Sequence, residues 1–350
     1  MSTQAQHDDC SEEGRLTDEA MVHYPGPSFP EYDEDYRAGF VSFVGRPNAG
    51  KSTLTNALVG EKVAITSSKP QTTRHTIRGI VHREHTEERS GAQLVLVDTP
   101  GLHRPRTLLG SRLNDVVIDT LSEVDVVGLC LAADEKIGPG DRFIAGQLTK
   151  LPHQRVVALV TKTDKISRAD LAEQLIAVDQ LGREHLAAEG QQAGGFSAII
   201  PVSAVSGDHV EVVADELISM MPVSPPLYPT GELTDEPEGR MIAELIREAA
   251  LEDVRDELPH SIAVTVEEML PREGRAEDRP LLDVHATIHV ERDSQKAIVI
   301  GRGGSRLKEI GSQAREGIKK LLGTPIYLDL HVKVTKEWQR DAKKLNRLGF

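Results

Sequence analysis

The chain has 350 residues, 39% of them hydrophobic and 27% charged, with two cysteines and a formal net charge of −14. That length suits about two domains, and the composition is that of a globular chain rather than a fibrous or low-complexity one. No apolar run approaches the roughly 18–20 residues of a membrane-spanning helix. The opening stretch MSTQAQHDDC lacks the pattern of a secretory signal. Cys10 in a polar stretch and Cys130 in an apolar one argue against a disulfide framework, which points to a reducing, cytoplasmic setting.

The charge is unevenly spread. Residues 1–40 carry ten acidic and two basic side chains, whereas residues 281–350 carry 14 basic and eight acidic ones. A locally basic end is what a polyanion would feel, whatever the sign of the whole. Residues 1–38, acidic and poor in aliphatics, predict a solvated, disordered tail.

From Gly39 to about Pro222, short apolar runs alternate with helix-length segments. Phe40–Val44, Leu94–Val97, Val124–Leu131, Val156–Val160 and Ala198–Val202 read as buried strands of a mostly parallel sheet, which makes this an α/β domain over residues 39–222. The first strand runs into Gly45-Arg46-Pro47-Asn48-Ala49-Gly50-Lys51-Ser52 and then a helix from Thr53 to Val59. This is G-x-x-x-x-G-K-[ST] in its strand–loop–helix context. Its backbone N–H groups and helix N-terminus can cradle phosphate, Lys51 can bridge the β- and γ-phosphates, and Ser52 can hold Mg²⁺.

The strand Leu94–Val97 ends in Asp98-Thr99-Pro100-Gly101, a D-x-x-G in which Asp98 is placed to hold Mg²⁺ through water and Gly101 to sense the γ-phosphate. Between these segments, the polar stretch Ser67–Arg74 supplies a metal-sensing threonine, Thr73 or its neighbour Thr72. Thr161-Lys162-Thr163-Asp164 follows another strand where N-K-x-D is usual. Asp164 can accept guanine N1–H and N2–H₂, which adenine cannot supply. Thr161 replaces the customary Asn and forgoes an amide contact; Lys162 can pack its stem along the base. Ser203 and Ala204 offer backbone N–H groups to guanine O6. Leu102 stands where a water-orienting Gln is found in Ras-like switches, so no catalytic residue is assigned and slow intrinsic hydrolysis is expected. Asn48 is a candidate ligand for a monovalent cation such as K⁺ beside the β/γ bridge.

Residues 223–239 form a proline-rich linker, since Pro222–Gly239 holds five prolines. Residues 240–350 then read as a small α+β domain: a helix through Met241, Ile242, Leu245, Ile246 and Ala249, strands at Ile262–Val266 and Val284–Val290, a helix Ser294–Ile300, the turn Gly301-Arg302-Gly303-Gly304, a helix Ser305–Leu322 and a strand near Ile326–Val332. Two helices joined by G-x-x-G form the turn by which a KH domain clamps single-stranded nucleic-acid backbone. Arg302, Arg306 and Lys308 supply charge beside it, and Lys333, Lys336, Arg340, Lys343, Lys344 and Arg347 extend a basic face. Trp338, the one tryptophan, reads as a core anchor.

Six stretches carry a closer likeness: GRPNAGKSTLTNAL from Gly45, PQTTRH from Pro70, DTPGLH from Asp98, ELPHSIAV from Glu257, AIVIGRGGSRLKEIG from Ala297 and VKVTKEWQRD from Val332. By them the chain resembles the bacterial Era GTPases from about Gly39 to Phe350. The resemblance implies a Ras-like G domain with a mixed, mostly parallel sheet and a type II KH domain. It implies a GTPase switch that binds GTP or GDP with Mg²⁺, binds the 3′ region of 16S ribosomal RNA and acts in maturation of the small ribosomal subunit. It also implies a monomer with peripheral association at the inner membrane face. Thr161, the acidic tail and a polar insert at Glu84–Gly91 that lengthens a hairpin are its departures. The competing readings are an RNA chaperone or scaffold whose nucleotide is mainly structural, and an ATP-dependent P-loop kinase, which Asp164 and Ala204 disfavour.

Overall fold

The computed structural model describes residues 32–66, 73–87, 89–101, 107–149, 155–186, 195–252, 261–275 and 280–350. The acidic tail before residue 32 lies outside them.

The apolar runs form the centre of a six-stranded sheet. Its strands are β1 (Arg37–Val44), β2 (Ile77–Arg83), β3 (Ala92–Asp98), β4 (Val126–Ala132), β5 (Arg155–Thr161) and β6 (Ala198–Pro201), in the spatial order β2-β3-β1-β4-β5-β6. All neighbours are parallel except β2, which pairs antiparallel with β3. Every residue of β3 and β4 is buried, because helices cover both faces of the sheet. Helices α1 (Lys51–Val59) and α5 (Val210–Ser219) pack Leu54, Leu58, Val213 and Leu217 against Phe43, Leu94 and Leu96. On the other face, α2 (Leu108–Glu123), α3 (Pro139–Leu148) and α4 (Arg168–His185) press Val117, Leu121, Ile144 and Val178 onto Val97, Val127 and Leu129.

The second domain begins with α6 (Glu238–Leu251). It continues through β7 (Ala263–Pro271), β8 (Leu282–Val290), α7 (Asp293–Ile300), α8 (Ser305–Leu322), β9 (Ile326–Val334) and α9 (Ala342–Arg347). β8 pairs antiparallel with β7 and parallel with β9, and Ile242, Ile246, Ile310 and Ile318 of the helices bury one face of this sheet against Val284 and Ile288.

Two boundaries expected from the sequence shift in the structure. The boundary between tail and domain at residue 38 falls inside β1. Arg37 already pairs with Ala92, and Tyr36 is buried at 4% exposure against Gly91. The segment expected as a linker at 223–239 runs along the first domain. The Gln93 side chain, fully buried, accepts from Leu227 N at 2.7 Å and Tyr228 N at 2.9 Å and donates to Tyr228 O at 3.0 Å. Ile80 N on the outer edge of β2 donates to Leu233 O at 2.8 Å. An edge strand leaves every second amide unpaired, and this segment satisfies one of them; at its far end α6 starts at Glu238, inside the expected linker. Strand β2 itself was legible only as one arm of a hairpin. Its polar residues Arg78, His82 and Arg83 hide a sheet edge whose Ile77 and Ile80 are buried.

Trp338 is fully buried, as the sequence suggests, with Nε1 donating to Ser261 O at 3.1 Å. It sits in a shared core in which Leu109 and Leu113 of α2 meet Trp338, Leu345, Leu348 and Phe350 of the second domain.

Candidate nucleotide and RNA sites

The phosphate loop sits at the carboxyl end of β1, between the ends of β3 and β4. Close packing demands its glycines: a Cβ at Gly45 would lie 2.5 Å from Cys130 O. Gly50 caps α1 with φ 87°, a left-handed conformation that glycine adopts without steric cost. Asn48 also adopts φ 63° and lies exposed at the loop's crest; short polar side chains tolerate this region. Gly50 carries no side-chain cap, so the first amides of α1 point outward as an anion site.

Lys51 is buried and its Nζ lies 3.3 Å from Gly45 O and 3.2 Å from Arg46 O. Burial lowers its pKa, and Asp98 opposes that shift. Asp98, 0% exposed, is raised by burial, while Lys51, Ser52 and Thr73 pull it back. Ser52 Oγ donates to Asp98 Oδ2 at 2.7 Å and lies 3.0 Å from Thr73 Oγ1, which donates to the same Oδ2 at 3.1 Å. Three oxygen side chains from α1, β3 and the segment before β2 therefore converge.

The test of this cluster for Mg²⁺ is the other carboxylate oxygen. Asp98 Oδ1 is buried and without a hydrogen-bond partner among the described residues, an arrangement that costs about 1–3 kcal/mol unless a ligand meets it. Hard oxygen donors in small number are what Mg²⁺ accepts when phosphates and water complete its shell. The residues fit the ion. Thr73 lies in this cluster; its rival Thr72, and Leu102, lie outside the described residues. Gly101 stands beside the loop, where an added Cβ would be 3.4 Å from Pro47 N and 3.6 Å from Lys51 Nζ. Thr99 Oγ1 donates to Phe43 O at 3.2 Å and Pro100 is buried, so both hold the segment rather than face solvent.

At the base end, Asp164 is exposed on a single 3₁₀ turn, and its Oδ1 accepts from Ser203 Oγ at 2.6 Å. Ser203 is 0% exposed, so this bond orients the carboxylate. The sequence assigned Ser203 through its N–H, but that group donates to Asp208 O at 3.0 Å. Ala204 is left as the backbone donor of the pair. Lys162 adopts φ 59° and reaches Asp134 at 3.5 Å, a carboxylate the sequence reading did not single out. Thr161 compensates for the missing Asn by another route: its Oγ1 donates to Ala49 O at 2.7 Å, tying β5 to the phosphate loop. The Arg46 side chain turns away from the phosphate position. It pairs with Asp141 and Glu135, each at 2.8 Å, so Arg46 contributes backbone only.

In the second domain Gly301, Gly303 and Gly304 have φ 74°, 62° and 82°. A Cβ at Gly301 would meet Arg306 Cβ at 2.6 Å, whereas Gly303 and Gly304 face open space. Gly304 begins α8 with no side-chain cap; its own N–H donates to Gly301 O at 3.2 Å and the Ser305 N–H to Arg302 O, which closes the turn on itself. Arg302 and Lys308 are exposed beside the turn. Arg306 departs from expectation: its guanidinium bonds Glu252 O and pairs with Glu309 at 3.2 Å. It braces α8 against α6, because its Cβ lies under the glycine turn. Of the other cations, Lys333, Lys336, Arg340, Lys343 and Arg347 are exposed, while Lys344 is held by Lys336 O at 2.8 Å.

Comparison with known proteins agrees with both halves. A family model described as a 50S ribosome-binding GTPase matches residues 40–162, and one for the KH domain matches residues 257–339. GTPase Era of Streptomyces coelicolor is 64% identical over 315 residues, covering 90% of this chain and 95% of that protein. GTPase Era of Mycolicibacterium smegmatis is 59% identical over 317 residues, covering 90% and 99%. A crystal structure of an Aquifex aeolicus Era variant bound to GDP and AlF₄⁻ superposes with TM-score 0.81 at 34% identity, covering 89% of this chain and 99% of that one. A crystal structure of Era in complex with MgGDPNP and nucleotides 1506–1542 of 16S ribosomal RNA gives 0.80 at 34%, covering 90% and 99%. With a G domain and a KH domain in this order, and relatives about 60% identical over nine-tenths of its length, the chain belongs to the Era family of GTPases.

Proposed function

We propose that this GTPase uses its nucleotide state to govern RNA binding by the Gly301–Gly304 turn, that the RNA is the 3′ region of 16S ribosomal RNA, and that the process served is assembly of the small ribosomal subunit. The observation that carries the reading is the convergence of Ser52, Thr73 and Asp98 on one point while Arg74, next to Thr73, contacts the KH domain. The solved Era complex holds that same RNA region, which favours the small subunit over the large one named in the broader family model.

In this reading Gly45–Ser52 amides, with Thr53 in the first turn of α1, cradle the phosphates, and Lys51 bridges β and γ. Ser52, Thr73 and Asp98 would hold Mg²⁺, which would supply charge neutralisation of the transferring phosphoryl group. Asp164, aimed by Ser203, reads guanine, and the Ala204 N–H meets O6. Water attacks the γ-phosphorus as its bond to the bridging oxygen breaks, and Gly101 N–H reports the loss of the γ-phosphate. RNA affinity is expected to be about tenfold or more higher with a non-hydrolysable GTP analogue than with GDP; equal affinities in a filter-binding titration would refute the switch.

Leu102 offers no group to orient water, and Asn48, exposed in the phosphate loop, is our candidate ligand for K⁺ near the β/γ bridge. Hydrolysis is then expected to be about tenfold faster in potassium than in sodium buffer, a difference that Asn48→Ala removes. Indistinguishable rates in the two buffers would dismiss the cation. Monomeric state and peripheral membrane association rest on the family resemblance; no helix among the described residues is long and apolar enough to cross a membrane.

A further inference from the structure

Thr73 and Arg74 are consecutive, yet they serve different neighbourhoods. The Thr73 hydroxyl belongs to the metal cluster, while Arg74, 2% exposed, enters the seam between the domains. There its Nη1 donates to Ile262 O, and its guanidinium lies 5.6 Å from the Trp338 ring centroid and 5.9 Å from that of Phe350. His75 follows, stacked on Phe350 with ring centroids 4.8 Å apart and an interplanar angle of 12°. Phe350 in turn stacks on Trp338 at 5.5 Å, and Arg112 of α2 donates to Phe350 O at 2.8 Å and Asn346 Oδ1 at 2.7 Å. On the other side of the cluster's chain segment, Thr66 N donates to Glu248 Oε1 of α6 at 2.9 Å.

A guanidinium inside protein is tolerated only where charge and hydrogen bonds replace water. Every group named here that meets Arg74 comes from the second domain. Ile262 O accepts from it, Trp338 and Phe350 face it, and Glu244 and Glu291 favour its charge against burial and Arg247. The backbone at Arg74 is thereby tied to the docked KH domain, and one peptide unit, about 3.8 Å between Cα atoms, separates it from the residue at the metal cluster. We infer that Arg74 is a positioning residue for Thr73, through which the docking of the RNA-binding domain sets the affinity of the triphosphate site for Mg²⁺. This inference rests on the metal and RNA roles proposed above and assigns the residue that joins them. Coupling of this kind is reciprocal: whatever loosens Arg74 weakens metal retention, and metal-bound Thr73 favours docking.

The test compares Arg74→Met, Arg74→Lys and Phe350→Ala with the unaltered chain. It measures the Mg²⁺ concentration for half-maximal binding of a fluorescent non-hydrolysable GTP analogue, and, in parallel, affinity for fluorescent GDP. Arg74→Met is expected to raise the Mg²⁺ midpoint about tenfold and to leave GDP affinity within about twofold, since no γ-phosphate then recruits Thr73. Arg74→Lys should recover most of the midpoint, because an ammonium still donates to Ile262 O. Phe350→Ala should shift it in the same direction from the far side of the seam, and it decides the matter if Arg74→Met does not yield folded protein. An unchanged midpoint overturns the inference. A parallel loss of GDP and analogue affinity also overturns it, since that marks a merely structural residue. Failure of the wild-type switch itself would show separately, as RNA affinity indifferent to nucleotide with the Arg74→Met midpoint still shifted.

Discussion

Asp164→Asn is expected to lower affinity for GTP and GDP about a hundredfold or more. A carboxylate accepting two guanine N–H groups makes charge-assisted bonds of about 1.5–3 kcal/mol each, and about 2.8 kcal/mol corresponds to a hundredfold in dissociation constant. The substitution also turns an acceptor into a donor facing the guanine amino group, so repulsion adds to the loss. Ser203 Oγ already donates to Asp164 Oδ1 at 2.6 Å, which fixes the remaining oxygen for the base and leaves little freedom for the amide to rearrange. Xanthine carries an oxygen where guanine carries that amino group. Xanthosine triphosphate should therefore bind the variant better than GTP does. Equilibrium binding of the two nucleotides to both proteins checks this, and GTP affinity unchanged within about threefold would remove Asp164 from the base site.

Gly303→Asp should cut affinity for a single-stranded RNA carrying the 3′ end of 16S ribosomal RNA about 10- to 100-fold, with GTP binding untouched. The backbone permits the change: φ at Gly303 is 62°, a region that Asp enters more readily than most residues, and nothing lies within 4 Å of an added Cβ. The fold is therefore kept while a negative charge is set beside the exposed Arg302 at the start of α8, where a phosphate would sit. Losing one phosphate contact and adding repulsion weakens binding at all salt concentrations and flattens its salt dependence by about one counterion. Gly301 could not serve for this experiment, because a Cβ there would strike Arg306 at 2.6 Å and confuse folding with binding. If Gly303→Asp bound the RNA normally, the turn would be a helix connection and the nucleic acid would lie elsewhere.

What could be read along the chain is what depends on spacing. A phosphate loop needs a strand, two glycines, a lysine and a hydroxyl in fixed order, because backbone amides within eight residues do the binding; Gly45 to Ser52 states all of this locally. The same holds for Asp98 and Asp164 at the ends of apolar strands, and for the turn Gly301–Gly304 between two helical segments. The buried strands were legible because both faces of the sheet are covered, which makes the run of apolar residues continuous. Strand β2 escaped that rule as an edge, with Arg78 and His82 facing solvent or the strap of residues 222–237.

Tertiary structure alone decided which side chains share a neighbourhood across long stretches of chain. Thr161 replaces an expected amide by reaching Ala49 O, 112 residues away, and Arg74 finds Ile262 O at a separation of 188. Arg306 and Arg46 match their motifs by position, yet the folded chain directs Arg46 to Glu135 and to Asp141 of α3, and ties Arg306 to Glu252 O at the end of α6 as well as to Glu309 on its own helix. Motifs specify backbone geometry, which is set by a few adjacent residues. The direction of a long charged side chain is set by whichever partner the packing of distant elements brings within reach, and no local pattern encodes that partner.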